Sequence, residues 1–149
     1  MTDLGNENLP NKELDSSTTV RVLAAEDDPS LRVLYGRLFG QLTGVSRPFV
    51  QYVIVEDAQA ALARFQAPDS RFNVVMTDYH MPGLNGAALA KRIKELDQEV
   101  LTVLVSSKTR RDLTPEEAQF IDEELPKPFG PDGARQIAEK IKERLTVAK

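Results

Sequence analysis

The residue types that could carry chemistry in this chain of 149 residues cluster at four places: Glu26-Asp27-Asp28, Asp78, Ser106-Ser107 and Lys127. The first three groups each follow an otherwise apolar run: "VRVLAA", "NVVMT" and "VLTVLV". If the four groups meet, Glu26, Asp27 and Asp78 crowd together. Three carboxylates at close range do not all stay ionised without a raised pKa or a compensating cation. Oxygen-only ligands, few in number, suit Mg²⁺, which keeps several of its waters. Lys127 brings a second, mobile positive charge, and Ser106 brings a hydroxyl donor. Mg²⁺, lysine and hydroxyl together make a site for a tetrahedral dianion placed on or near Asp78. A carboxylate is also a nucleophile toward phosphorus and forms an acyl phosphate. In-line transfer then needs little beyond positioning and charge neutralisation.

The elements that must bring these groups together are legible as periodicity. "VRVLAA" (20–25), "FVQYVIV" (49–55), "RFNVVMTD" (71–78) and "VLTVLVS" (100–106) read as strands, and "EELP" (123–126) as a short fifth. Between them, Leu31, Leu34, Tyr35, Leu38 and Leu42 mark a helix by their three- and four-residue spacing. Asp28 suits its N-cap and Pro29 its first position. "DAQAALARF" reads as a second helix capped by Asp57. A third runs from about Asn85 to Asp97 and lines up Leu89, Ile93 and Leu96. "TPEEAQFI" opens with a capping box, Thr114 with Glu117, around Pro115. "PDGARQIAEKIKERL" (131–145) closes the chain, with Ile137, Ile141 and Leu145 on one face. Strands alternating with helices predict an α/β fold, a five-stranded parallel sheet with helices on both faces. Ligands of such sheets bind outside the carboxyl ends of the strands, near the switch in strand order. The four polar groups stand at those ends.

Composition narrows the class. The length suits one domain with one core, and 41% hydrophobic residues suit a globular chain. There is no cysteine, which excludes disulfides and thiolate metal sites. No apolar run is long enough to span a bilayer, and the N-terminus lacks a basic-then-apolar leader. A cytoplasmic protein without membrane insertion is expected. The net charge of −4 is uneven: four acids against Lys12 leave −3 in residues 1–19 and −1 in the rest. A nearly neutral domain lacks the basic footprint of a nucleic-acid binder. Residues 1–19 are polar and aperiodic, and read as a flexible extension ahead of a domain spanning 20–149.

"VLAAEDDP", "VVMTDYHMPGLNG", "VLVSS" and "LPKPF", in this order and at these spacings, resemble the receiver domains of two-component response regulators, of the stand-alone, CheY-like kind. The resemblance covers Val20 to about Lys149. It implies a flavodoxin-like strand order, 2-1-3-4-5. It also implies that Asp78 is the phosphoacceptor. Glu26 and Asp27 would hold Mg²⁺, with Asp27 favoured as the direct ligand, and the backbone carbonyl of His80 would complete the protein's metal ligands. Ser106 would bond a phosphoryl oxygen and move inward on phosphorylation, and Lys127 would pair with another. The Lys127–Pro128 bond is expected to be cis. Ser107 is small and would leave the phosphoryl group accessible, while His80 would overhang it and tune the access of water. His80 is the sole histidine, and a histidine ring changes charge near neutral pH, which would make the phosphate lifetime pH-dependent. The implied donor is a histidine kinase or a histidine phosphotransfer protein. With no output domain after the last helix, the implied output is contact with a downstream protein or onward phosphotransfer.

The chain also departs from the family. Three residues before Lys127, where receivers carry Tyr or Phe, stands Glu124, a side chain that buries only at high cost. That puts the coupling between the switch hydroxyl and an inward-moving ring in question. The segment between Ser106 and Lys127 is about a residue short and lacks the family's Ala-Gly-Ala-like turn. Its acids Glu116, Glu117, Asp122, Glu123 and Glu124 read most simply as a solvated face, with a partner-reading face as the second option. Gly86 is expected where backbone packs tightly at the start of the third helix. Two other classes compete. A degenerate receiver acting as a binding module draws support from Glu124 alone. An enzyme fits less well. A haloacid-dehalogenase-type phosphatase needs an Asp at the position of His80, and a flavodoxin needs a hydroxyl-rich loop where "EDDPS" places three negative charges.

Overall fold

The structure, a computed structural model, describes residues 19–40, 49–68, 70–106 and 113–127, with 132–133, 135–136 and 139. Five strands form one parallel sheet: β1 (Thr19–Ala25), β2 (Phe49–Val55), β3 (Val74–Thr77), β4 (Leu101–Ser106) and β5 (Glu123–Pro126). Their order is β2-β1-β3-β4-β5, as expected. The direction of crossover therefore changes at β1, so the crevice between the ends of β1 and β3 is the switch point.

Both faces of the sheet are covered, which is why its strands read as apolar runs. Successive side chains point to opposite faces. Val20, Val22 and Ala24 pack with Val74, Met76, Val103 and Val105 against Tyr35, Leu38 and Phe39 of α1 (Pro29–Gly40). Leu23, Ala25 and Val75 pack on the other face against Ala58 and Ala61 of α2 (Ala58–Gln66) and Leu89 and Ile93 of α3 (Gly86–Leu96). Each fully buried Leu or Ile of this kind stabilises the fold by about 1.5–3 kcal/mol.

Local capping follows the sequence closely. Asp28 Oδ1 accepts from the Ser30 N–H at 2.8 Å, ahead of Pro29. Asp57 Oδ1 accepts from the Ala60 N–H at 2.8 Å, and Asn85 Oδ1 accepts from the Ala88 N–H at 2.8 Å. The capping box of Thr114 and Glu117 is present in full at the start of α4 (Pro115–Ala118). Each such cap contributes about 1 kcal/mol.

Four expectations need correction. β3 spans Val74–Thr77, not 71–78. Asn73 supplies its ladder contacts without strand geometry: its Oδ1 accepts from the Arg21 N–H at 2.7 Å, and its carbonyl accepts from the Leu101 N–H at 2.9 Å. Leu96 does not join the buried stripe of α3 and is 47% exposed, because the helix ends there and Asp97 turns extended. α4 is one turn long and does not run through "TPEEAQFI"; Phe120 lies in a turn after it, and Ile121 is buried beyond. The acidic segment is not one solvated face. Asp122 Oδ2 accepts from Lys94 Nζ at 2.6 Å and from the Thr102 N–H at 3.0 Å, tying α3 to the start of β4. Glu117 is used twice, by the capping box and by Tyr79.

Leu42, the residues 1–18, Ser107, the Lys127–Pro128 bond and most of the closing helix lie outside the described residues; 132, 133, 135, 136 and 139 are helical. Among the described residues no helix is long and apolar enough to cross a membrane.

Candidate functional site

The carboxyl ends of β1, β3 and β5 bring Glu26, Asp78 and Lys127 together. Asp78 follows β3 directly, and its N–H donates to the Ala25 carbonyl at 3.4 Å, which extends the β1–β3 pairing by one residue. Glu26 follows β1 and is fully buried, whereas Asp27, one residue on, is exposed. Carboxylate oxygens of Glu26, Asp27 and Asp78 lie within 4.8 Å of one another.

Lys127 supplies the cation at this crowding. Its Nζ donates to Asp78 Oδ2 at 2.5 Å and lies 3.3 Å from Glu26 Oε1 and 3.4 Å from Oε2. Burial by itself would lower the Lys127 pKa. The hydrogen bond to Asp78 and the charges of Asp78 and Glu26 outweigh that, and the ammonium is held above its usual range. For Glu26 the balance goes the other way. Burial raises its carboxyl, and the Asp28 N–H and Lys127 only partly offset this. Both of its oxygens are engaged: Oε2 accepts from the Asp28 N–H at 3.1 Å, and Oε1 accepts from the Tyr35 hydroxyl at 3.2 Å.

The donor set fits Mg²⁺. It is all oxygen, from two or three carboxylates, and one side is open to water through the exposed Asp27. The oxygens of Glu26 and of Asp78 all accept from chain donors, Asp78 Oδ1 from the Tyr79 N–H at 2.7 Å and Oδ2 from Lys127, while Asp27 is the exposed member of the three. An open cleft beside the acids is lined by Asp27, Tyr79, His80, Met81, Pro82 and Asn85.

Of the remaining candidates, Ser106 ends β4 in register with Pro126, which puts it at the same edge of the sheet; its side chain lies outside the described residues. His80 is exposed, and its ring stands edge-on to that of Tyr79 at 4.9 Å. Glu124 sits half-buried on β5 opposite Leu104.

Three residues at the site escaped the sequence reading. Tyr35 was placed only on an apolar helix face, yet its hydroxyl meets Glu26. Tyr79 carries its ring onto a third cluster with Ala90, Leu104 and Leu113, and its hydroxyl donates to Glu117 Oε2 at 2.8 Å. That bond, with partial burial, holds the Tyr79 phenol above its usual pKa. Arg32 Nη1 donates to the Glu26 carbonyl at 2.9 Å. An aromatic ring one residue after a strand-end acid was the one available signal for Tyr79. Nothing in the spacing pointed to Tyr35 or Arg32.

Comparison with known proteins decides the family. The family model for the response regulator receiver domain matches residues 22–142. The chain belongs to the response regulator receiver family. A receiver relative is the two-component response regulator ARR14 of Arabidopsis thaliana, 27% identical over 132 residues. The match takes in 87% of this chain and 33% of ARR14, so the chain spans about a third of that relative's length. A CheY-like receiver domain from Methylobacillus flagellatus is 23% identical with a TM-score of 0.70, covering 83% of this chain and 99% of that one. The response regulator TrrA of Thermotoga maritima, solved with Mg²⁺ and BeF, is 22% identical with a TM-score of 0.68, covering 82% and 98%. The structure of TrrA with the histidine kinase ThkA gives 20% identity and a TM-score of 0.67, covering 82% and 97%. At these identities the solved receivers show a shared fold.

Proposed function

We propose that this receiver is a phosphorylation-activated switch in which Asp78 accepts a phosphoryl group from a histidine kinase or a histidine phosphotransfer protein. The observation that carries this reading is the position of Lys127 Nζ, 2.5 Å from Asp78 and within reach of buried Glu26, at the switch-point edge of the sheet. An oxygen of Asp78 attacks phosphorus, the bond from phosphorus to the donor's imidazole nitrogen breaks, and an acyl phosphate forms on Asp78. Asp27, Asp78 and the His80 carbonyl, with Glu26 beside them, would hold Mg²⁺, which would supply neutralisation of the phosphoryl charge when bound. The ammonium of Lys127 turns from the carboxylate to a phosphoryl oxygen, and the hydroxyl of Ser106 donates to another. Ser107 leaves the group open to attack. The chain is a signalling switch that assists only its own phosphorylation and dephosphorylation, and its output is contact with a downstream protein or onward phosphotransfer. The family membership and the TrrA–ThkA complex support a kinase partner, and the TrrA complex with Mg²⁺ and BeF supports the metal.

The test is incubation with Mg²⁺ and a small phosphodonor, read by intact mass. One phosphoryl group is expected on the wild type and none on Asp78→Asn. Equal labelling of both, or none of either, would overturn the reading. The half-buried Glu124 favours a second reading, a binding module indifferent to phosphorylation. Beryllofluoride separates the two, since a module of that kind shows no change in its spectrum on addition.

His80 is proposed to modulate. Its exposed ring leans on Tyr79 at the mouth of the cleft, where it limits water without being needed for attack. His80→Ala should change the dephosphorylation rate by less than about tenfold, against the ~10²–10⁴ expected for loss of an essential general base. A rate identical to wild type from pH 6 to 8 would make the ring a bystander.

A further inference from the structure

The Glu26 carboxylate is wholly inaccessible to water, so its orientation is fixed by the chain's own donors. One of them, Tyr35, comes from the middle of α1 and is itself only 2% exposed. Its ring belongs to the core cluster that includes Leu38, Phe39 and Val22, a position that otherwise does apolar work. A phenol in such surroundings needs a hydrogen-bond partner. It finds Glu26 Oε1 at 3.2 Å. Burial and the Glu26 carboxylate together push the phenol's pKa up, which keeps it a neutral donor.

Glutamate has one more rotatable bond than aspartate and so needs more fixing to serve as a precise anchor. The Asp28 N–H fixes Oε2, and Tyr35 fixes Oε1. Lys127 Nζ lies at nearly equal distance from the two oxygens and touches Asp78. The hydroxyl therefore acts on the site through Glu26, from the far side of the carboxylate. Were Lys127 to turn away from Glu26, the Tyr35 and Asp28 donors would still hold the carboxylate.

We propose that Tyr35 is a positioning residue of the acidic site, whose hydroxyl holds the Glu26 carboxylate in the orientation that Mg²⁺ binding and Lys127 placement require. This rests on the reading of Asp78 as a Mg²⁺-dependent phosphoacceptor. The test compares full-length wild type, Tyr35→Phe and Phe39→Leu by calorimetric titration with Mg²⁺ alone. Tyr35→Phe keeps the ring and removes only the hydroxyl. Its Mg²⁺ dissociation constant should rise about three- to tenfold, the equivalent of one ordinary hydrogen bond, because the hydroxyl acts on the ion through Glu26. Phe39→Leu disturbs the same helix and core without touching Glu26, and should bind Mg²⁺ as wild type does. Phosphorylation should show the same split: the Mg²⁺ concentration at half-maximal rate rises in Tyr35→Phe, while the apparent KM for the phosphodonor stays. Unchanged affinity in Tyr35→Phe, or an equal loss in Phe39→Leu, overturns the inference. Wild type that neither binds Mg²⁺ nor becomes labelled overturns the functional reading itself, and the inference with it.

Discussion

Gly86→Ala will unfold at markedly lower urea concentration than wild type and will label poorly on Asp78. Propensity alone predicts the opposite, because alanine favours a helix by about 1 kcal/mol over glycine. The contact decides. A Cβ at position 86 would stand 2.1 Å from the Asp78 carbonyl oxygen, 2.9 Å from its carbon and 3.0 Å from Tyr79 Cα. All three are backbone atoms, so no side chain can turn aside. The same carbonyl accepts from Thr77 Oγ1 at 2.8 Å, and the Gly86 N–H donates to the Tyr79 carbonyl at 2.8 Å. Relief requires α3 to back away from the end of β3, which moves the backbone that carries Asp78. The net loss should be about 1–3 kcal/mol, the usual range for overpacking a tight core. Gly36→Ala is the control: its nearest neighbour would be Ile54 Cδ1 at 3.9 Å, an ordinary contact, and propensity should win there. Equal stabilisation of both variants would mean that α3 shifts freely.

The second large effect is on Lys127. Lys127→Met should lower stability at pH 7 by about 2–4 kcal/mol, the low side of the cost of breaking a buried pair because the lysine keeps some contact with water. Methionine retains most of the stem, so the loss reports the charge. Without it, Glu26 is left fully buried and close to two more carboxylates with the Lys127 charge gone, so that ionising it costs more. The pH dependence follows from the directions of shift. Lys127 is raised above its ordinary 10.5, so its contribution is fully present below that value and lost as pH climbs through the higher folded one. Glu26 is raised above 4.5, so its ionisation costs stability as pH rises past that value, and without Lys127 it costs more. The gap between variant and wild type should therefore be widest at neutral pH and shrink as pH falls through the raised folded value of Glu26, where that carboxylate takes up a proton. Millimolar Mg²⁺ at pH 7 should restore part of the loss by binding the folded acids. Urea unfolding at pH 4 and 7 measures both. The same gap at the two pH values would assign Lys127 a packing role.

Both effects depend on contacts that a reader of the sequence could only partly foresee. Gly86 was expected to sit where backbone packs closely, but its partner, the carbonyl of Asp78, was not. Lys127 was expected beside Asp78 through the family pattern, and its reach to Glu26 crosses 101 positions. The acids after Ser106 show the same limit. Read as charges they suggest a solvated face, yet Asp122 bonds Lys94 and Thr102, and Glu117 bonds Tyr79, 38 positions away. Residue type says that a carboxylate needs a partner; it does not say which element will provide one.

What the sequence by itself determined was therefore local or periodic. Caps at Asp28, Asp57 and Thr114 involve donors two or three residues away, and the apolar strands announce a sheet covered on both faces because burial on each side removes alternation. The placing of acids, hydroxyl and lysine after strands belongs to the same level. The tertiary structure decided which groups share a few ångströms: the Tyr35 hydroxyl on Glu26, the Gly86 backbone on Asp78, and Lys127 between two acids from different strands. Those distances arise from the packing of α1 and α3 on the sheet and from the place of β5 at its edge, and packing is a property of the whole core, not of any segment of chain.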